Sequence, residues 1–116
     1  MKVLVGGCFN KIHPGHVYFL NKAKEFGYLV VVLANDKNNK KPYAIKARLR
    51  KNNLARLKIA DKIVIGDTYD FSRVVKKEKP DIIALGYDQK MPKGISKKIK
   101  TRRIKRFRKY STRKLA

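Results

Sequence analysis

Two histidines three residues apart, His13 and His16, flank Pro14 and Gly15 just after a glycine-containing loop, Gly6-Gly7-Cys8-Phe9-Asn10. Pro14 suits the first turn of a helix, where its missing N–H costs nothing. The pair therefore stands across the opening turn of a helix, and both imidazoles can point toward one spot above it. Free backbone N–H groups and the helix dipole favour an anion there. Gly15 leaves room for a flat or bulky ligand group to press against the backbone. The chemistry that fits is polyphosphate binding, with the imidazoles donating to oxygens whose charge grows during transfer. Two alternatives stay open: the histidines are packing residues, or they bind a metal, although no third ligand stands nearby in sequence. Cys8 reads as a small packing residue rather than a nucleophile.

Such a loop needs elements to hold it. Val3–Val5 reads as a buried strand, Val17–Phe26 as a helix ended by Gly27, and Leu29–Ala34 as a central strand. Ala44–Leu57 reads as a second helix with Ile45, Leu49 and Leu54 toward the core, and Lys62–Ile65 as a third strand. Asp70 is placed to cap a short helix running to Lys79, which Pro80 stops. Asp81–Leu85 reads as a fourth strand, Ile95–Ile99 as one helical turn and Arg102–Phe107 as a basic edge strand. Alternation of strand and helix predicts an α/β fold, a Rossmann-like open parallel sheet of about five strands with flanking helices. Ligands of such sheets bind beyond the carboxyl ends of the strands. Glycine and polar residues gather at those ends: Gly7 to Asn10, Asn35-Asp36-Lys37, Gly66-Asp67 and Gly86-Tyr87-Asp88.

The chain has 116 residues, 43% of them hydrophobic, which predicts a single domain over residues 1–116. No apolar run is long enough for a membrane span, and no signal peptide is legible. The single cysteine cannot form an internal disulfide, and a cytoplasmic location is expected. The formal charge is +23, and residues 90–116 carry 13 Lys/Arg with no acid. Such a field attracts polyanions, nucleic acid included, or it is simply a lysine-rich solvated surface.

Gly7-Cys8-Phe9-Asn10 followed by His13-Pro14-Gly15-His16 resembles the G-x-F-D-x-x-H-x-G-H signature of the cytidylyltransferase-like nucleotidyltransferases. That group includes glycerol-3-phosphate cytidylyltransferase, phosphopantetheine adenylyltransferase and the archaeal FAD synthases. The resemblance continues through Arg50, residues 60–66 and residues 79–89, where Gly86-Tyr87-Asp88-Gln89 is most similar to the archaeal FAD synthases. It implies that His13, His16, Lys41 and Arg50 serve catalysis, with Lys40 beside Lys41 holding phosphates. It also implies a nucleotide site formed by Gly7, Cys8, Phe9, Asn10, Gly15, Gly86, Asp88, Arg106, Ser111 and Thr112, with Tyr110 beside them.

The implied reaction is in-line attack by an acceptor phosphate oxygen on the α-phosphorus of ATP or CTP, with pyrophosphate leaving. Mg²⁺ or another divalent cation is implied with the triphosphate, and Asp88 is one contributor to it. A homodimer is implied as well. The phosphorylated small-molecule acceptor is FMN in a FAD synthase, or glycerol 3-phosphate or a similar compound in a CTP-dependent enzyme. Two departures stand out. The motif aspartate is Asn10 here, and only four residues follow Thr112, leaving room for a short last helix at most. Both keep in view a catalytically weak relative that binds nucleic acid through the basic segment 89–116.

Overall fold

The apolar runs Val3–Val5, Leu29–Leu33 and Ile82–Leu85 form strands buried on both faces. The computed structural model describes residues 1–36, 45–66, 71–91 and 94–105. In order these form β1 (Lys2–Gly7), α1 (Pro14–Lys24), β2 (Tyr28–Leu33), α2 (Ala47–Ala55), β3 (Lys62–Ile65), α3 (Phe71–Glu78), β4 (Ile82–Leu85) and β5 (Lys100–Arg103). The five strands make one parallel sheet in the order β3-β2-β1-β4-β5. The chain steps outward from β1 to β2 and β3, then returns to the other side of β1 for β4. The switch point, where sheets of this kind bind ligands, therefore lies between β1 and β4.

The two-residue period of a strand sorts the core into two layers. Val3, Val5, Leu29, Val31, Leu33, Ile82 and Ala84 meet Leu20 and Ala23 of α1 and Leu54 of α2. Leu4, Val30, Val32, Ile83 and Leu85 face the opposite way, onto Val74 and Val75 of α3. At the amino ends of the strands a buried carboxylate joins three elements. Glu78 accepts Lys2 Nζ at 3.1 Å and Lys62 Nζ at 3.0 Å. Burial pushes its pKa up, but the hydrogen bonds from Lys62 and Lys2 outweigh that and hold it below the usual range.

Three expectations shift. The second helix starts at Ala47, with Ile45 in the segment before it; Ala44 lies outside the described residues. Its inward positions are Ala47, Arg50 and Leu54, while Leu49 is 50% exposed. The cause is phase: Leu49 stands five residues before Leu54, about 140° round the helix, whereas Arg50 lies almost beneath it. Residues 95–99 hold the single turn expected of them, closed by Ile99 N–H on the Ser96 carbonyl. The basic edge strand comes two residues early, at Lys100–Arg103, and Arg106 and Phe107 lie outside the described residues, as does the expected cap Asp70.

Candidate active site

At the carboxyl end of β1 the spacing of glycine and phenylalanine has a packing cause. A Cβ on Gly7 would lie 2.8 Å from the Phe9 ring. Phe9 is 7% exposed and takes φ 51°, a left-handed conformation that costs a non-glycine residue about 1–2 kcal/mol. Burying the ring returns about as much. That turn sets Phe9 against His16, ring centroids 5.2 Å apart.

The two histidines build the start of α1. His13 is the N-cap, its Nδ1 accepting Gly15 N–H at 3.1 Å, and His16 Nδ1 accepts His13 N–H at 3.3 Å. The rings stack with centroids 3.9 Å apart. Gly15 N–H is thus taken by the His13 ring and His13 N–H by the His16 ring, so two of the backbone N–H groups expected to face an anion here are engaged within the cap. With Nδ1 accepting, a neutral ring carries its proton on Nε2. Burial lowers the pKa of His13. Burial, then the neighbouring His13, push that of His16 down to about 4, against a hydrogen bond to the Lys11 carbonyl that raises it. At neutral pH the pair is two uncharged rings above a helix N-terminus, each with its proton on Nε2, and that of His16 is given to the Lys11 carbonyl.

A stability consequence follows. An unfolded His16 titrates near 6.5, so above that pH both states are neutral and the ring adds no pH dependence. Between about 6.5 and about 4 the unfolded chain binds a proton that the folded one refuses, so stability falls as pH falls. Thermal unfolding across that window should show Tm declining in the wild type and a shallower decline in His16→Asn. A flat wild-type profile would mean that the ring is not held neutral.

Arg50 is fully buried, and its guanidinium faces protein. Nε donates to the Ile45 carbonyl at 2.6 Å, Nη1 to the Cys8 carbonyl at 2.8 Å, and Nη2 lies 3.5 Å from Asp36 Oδ1. Asn10, also buried, accepts Ile45 N–H at 3.0 Å. Ile45 is therefore held through both its backbone groups. Asp36 Oδ1 accepts Ala47 N–H at 2.7 Å, capping α2 where Lys46 makes no side-chain cap, and an acid suits that helix end. Three segments at the strand ends, around residues 8–10, 36 and 45–50, are tied into one unit. The Arg50 guanidinium is one of the ties between these segments.

At the end of β4, Gly86 N–H donates to Gln89 Oε1 at 2.8 Å, and Gln89 Nε2 donates to the Gly6 carbonyl at 3.1 Å. Arg103 Nη1 clips the same turn, donating to the carbonyls of Gly86 at 2.7 Å and Gln89 at 2.6 Å. Asp88 and Tyr87 are exposed beside it. The structure thus joins Gly7, Cys8, Phe9, Asn10, His13, Gly15, His16 and Gly86 along the carboxyl edge of the sheet, with Asp88 at its rim. Lys40, Lys41, Arg106, Tyr110, Ser111 and Thr112 lie outside the described residues. Asp36, Gln89 and Arg103 were given no role from sequence. The signal for Gln89 was an amide three residues past a strand-end glycine.

Mg²⁺ is held through one or two carboxylates together with substrate phosphates and water, and Asp88 at the rim is a carboxylate that the described site offers. Asn10 offers no carboxylate and spends its Oδ1 on Ile45, the histidines offer nitrogen, and no cluster of three ligating side chains occurs among the described residues. No helix among those residues is long and apolar enough to cross a membrane.

The cytidylyltransferase-like family model matches residues 4–113. FAD synthase of Ferroglobus placidus is 47% identical over 91 residues, covering 76% of this chain and 60% of that protein. FAD synthase of Methanosarcina mazei is 41% identical over 105 residues, covering 88% and 70%. The crystal structure of the lipopolysaccharide core biosynthesis protein from Thermoplasma volcanium superposes with a TM-score of 0.82 at 33% identity, covering 92% of this chain and 98% of that one. The chain spans 60% and 59% of the length of two of the FAD synthases it matches.

Proposed function

This chain belongs to the cytidylyltransferase-like family, and from that premise we propose that it is a nucleotidyltransferase that adenylylates FMN, releasing pyrophosphate. The observation that carries the reading is the histidine pair. His13 and His16 are two neutral N–H donors fixed by their own reciprocal cap beside the Gly7–Phe9 turn. Such donors stabilise charge growing on the triphosphate, that of His16 by exchanging the Lys11 carbonyl for a phosphate oxygen, and a neutral ring does not trap the product as a cation would. The acceptor phosphate is already ionised near neutral pH, so no general base is needed and the protein's work is positioning. The choice of ATP and FMN is supported by the FAD synthases among its relatives. A divalent cation belongs to the substrate, entering as the counter-ion of the triphosphate.

We read residues 1–116 as one domain working in the cytoplasm, with Lys41, Arg106, Ser111 and Thr112 as further phosphate contacts. A panel of ATP, CTP, GTP and UTP, each with FMN, glycerol 3-phosphate or no acceptor, tests the reading by pyrophosphate release. ATP with FMN should exceed the other pairs. Release with CTP and glycerol 3-phosphate alone would replace it by the cytidylyltransferase reading. No release from any pair, with salt-sensitive RNA binding, would leave only the nucleic-acid reading.

The reading includes a homodimer formed on the β3 side. Ile65 on edge strand β3 is 45% exposed and Leu49 on α2 is 50% exposed, whereas the other edge, β5, is Lys-Thr-Arg-Arg and blunted by charge. Sedimentation should show a dimer that Leu49→Lys weakens. A monomer at high concentration would refute it.

A further inference from the structure

The β1–β4 ladder stops early, and one side chain stands where it would have continued. β1 pairs β2 over six positions, but it pairs β4 only at Val3↔Ile82 and Leu4↔Ile83. The Gly7 carbonyl accepts Ala34 N–H on the β2 side, so the Gly6 carbonyl, one residue earlier, points toward β4. The Leu85 carbonyl accepts Ile104 N–H on the β5 side, so the Gly86 N–H of the same trans peptide points toward β1. Continuing the register puts Gly6 opposite Leu85, and a parallel ladder would then run a bond from Gly86 N–H to the Gly6 carbonyl. Neither group makes that bond. Gly86 N–H donates to Gln89 Oε1 and the Gly6 carbonyl accepts from Gln89 Nε2. The carboxamide is inserted into the missing rung, offering one acceptor and one donor in the order required.

We infer that Gln89 is a positioning residue that wedges β1 from β4 and so sets the width of the switch-point crevice for the nucleotide. The inference rests on the nucleotidyltransferase reading for the ligand, but its geometry stands apart from it. The wedge satisfies the two backbone groups that splaying would strand, and an unpaired backbone group away from water is costly. Arg103 keeps the wedge in place by clipping the carbonyls at both ends of the 86–89 turn. Without the amide, Gly86 N–H and the Gly6 carbonyl can bond directly, which narrows the crevice while leaving the sheet as well paired as before.

A wedge and a brace predict different results for Gln89→Ala. A wedge gives a protein whose Tm stays within a few degrees of wild type, whose nucleotide KM rises at least about tenfold, and whose kcat changes little. Gln89→Glu, which keeps the acceptor for Gly86 but loses the donor for Gly6, should show the same loss weighted to KM. An unchanged KM in both variants overturns the inference. So does a collapse of Tm in both, which would make Gln89 an ordinary structural tie. If the wild-type protein turns over no nucleotide, the functional reading fails and the wedge is judged by structure alone. A Gly86–Gly6 bond in the structure of Gln89→Ala supports the wedge, and persistent splaying overturns it.

Discussion

Replacing His16 by alanine is expected to cut turnover by about a hundredfold or more, the scale on which one donor to developing charge is lost. The loss should fall on kcat and on kcat/KM together, because the neutral ring gains most from its hydrogen bond once charge has grown on the triphosphate. The fold should survive with a lower Tm. His16 Nδ1 caps His13 N–H and its ring packs against Phe9, contributions worth about 1 kcal/mol in other helix caps. His16→Asn, which can still accept from the cap, should recover part of that Tm but little of the rate. A variant that turns over normally would make the pair a helix cap and nothing more. Steady-state kinetics beside thermal unfolding of both variants separates these roles.

Arg50→Ala is expected to fail in the opposite order, losing the fold's rigidity first and activity as a consequence. The side chain is fully buried, and its removal strands the carbonyls of Ile45 and Cys8 and leaves Asp36 Oδ1 without its cation. The Asp36 side chain is 54% exposed and stays solvated, so the cost is that of the two stranded carbonyls, about 1–3 kcal/mol each, or roughly 10 °C in Tm for a domain of this size. Arg50→Lys retains the charge but not the fork that reaches three partners, so it should recover little. Were Arg50 instead a direct phosphate contact, alanine would leave Tm unchanged while raising KM. Thermal unfolding without nucleotide, read against KM, distinguishes the two.

Most of the fold was legible because the strands announce themselves. The continuous run Leu29–Ala34 became the strand Tyr28–Leu33 between β1 and β3, and Lys62–Ile65 was placed to the residue. The phase of α2 was not legible, since a reader prefers Leu49 over Arg50 as a core residue. Hydropathy has no way to show that a guanidinium will find Ile45, Cys8 and Asp36 waiting for it. The site divided along the same line. Glycines and histidines bunched at strand ends were readable as one loop cluster. The reciprocal cap that neutralises the histidines, and the amide of Gln89 replacing a ladder bond, depend on where backbone groups point, which only a three-dimensional register reveals.

The central claim is tested most directly by following labelled oxygen through the reaction. Residues 1–116 would be incubated with ATP and with FMN carrying ¹⁸O in its phosphate, and the products weighed. In-line attack of the FMN phosphate on the α-phosphorus predicts FAD that retains the label, formed together with an equal amount of unlabelled pyrophosphate. Label in the pyrophosphate, or an absence of FAD from a folded protein, would contradict the account.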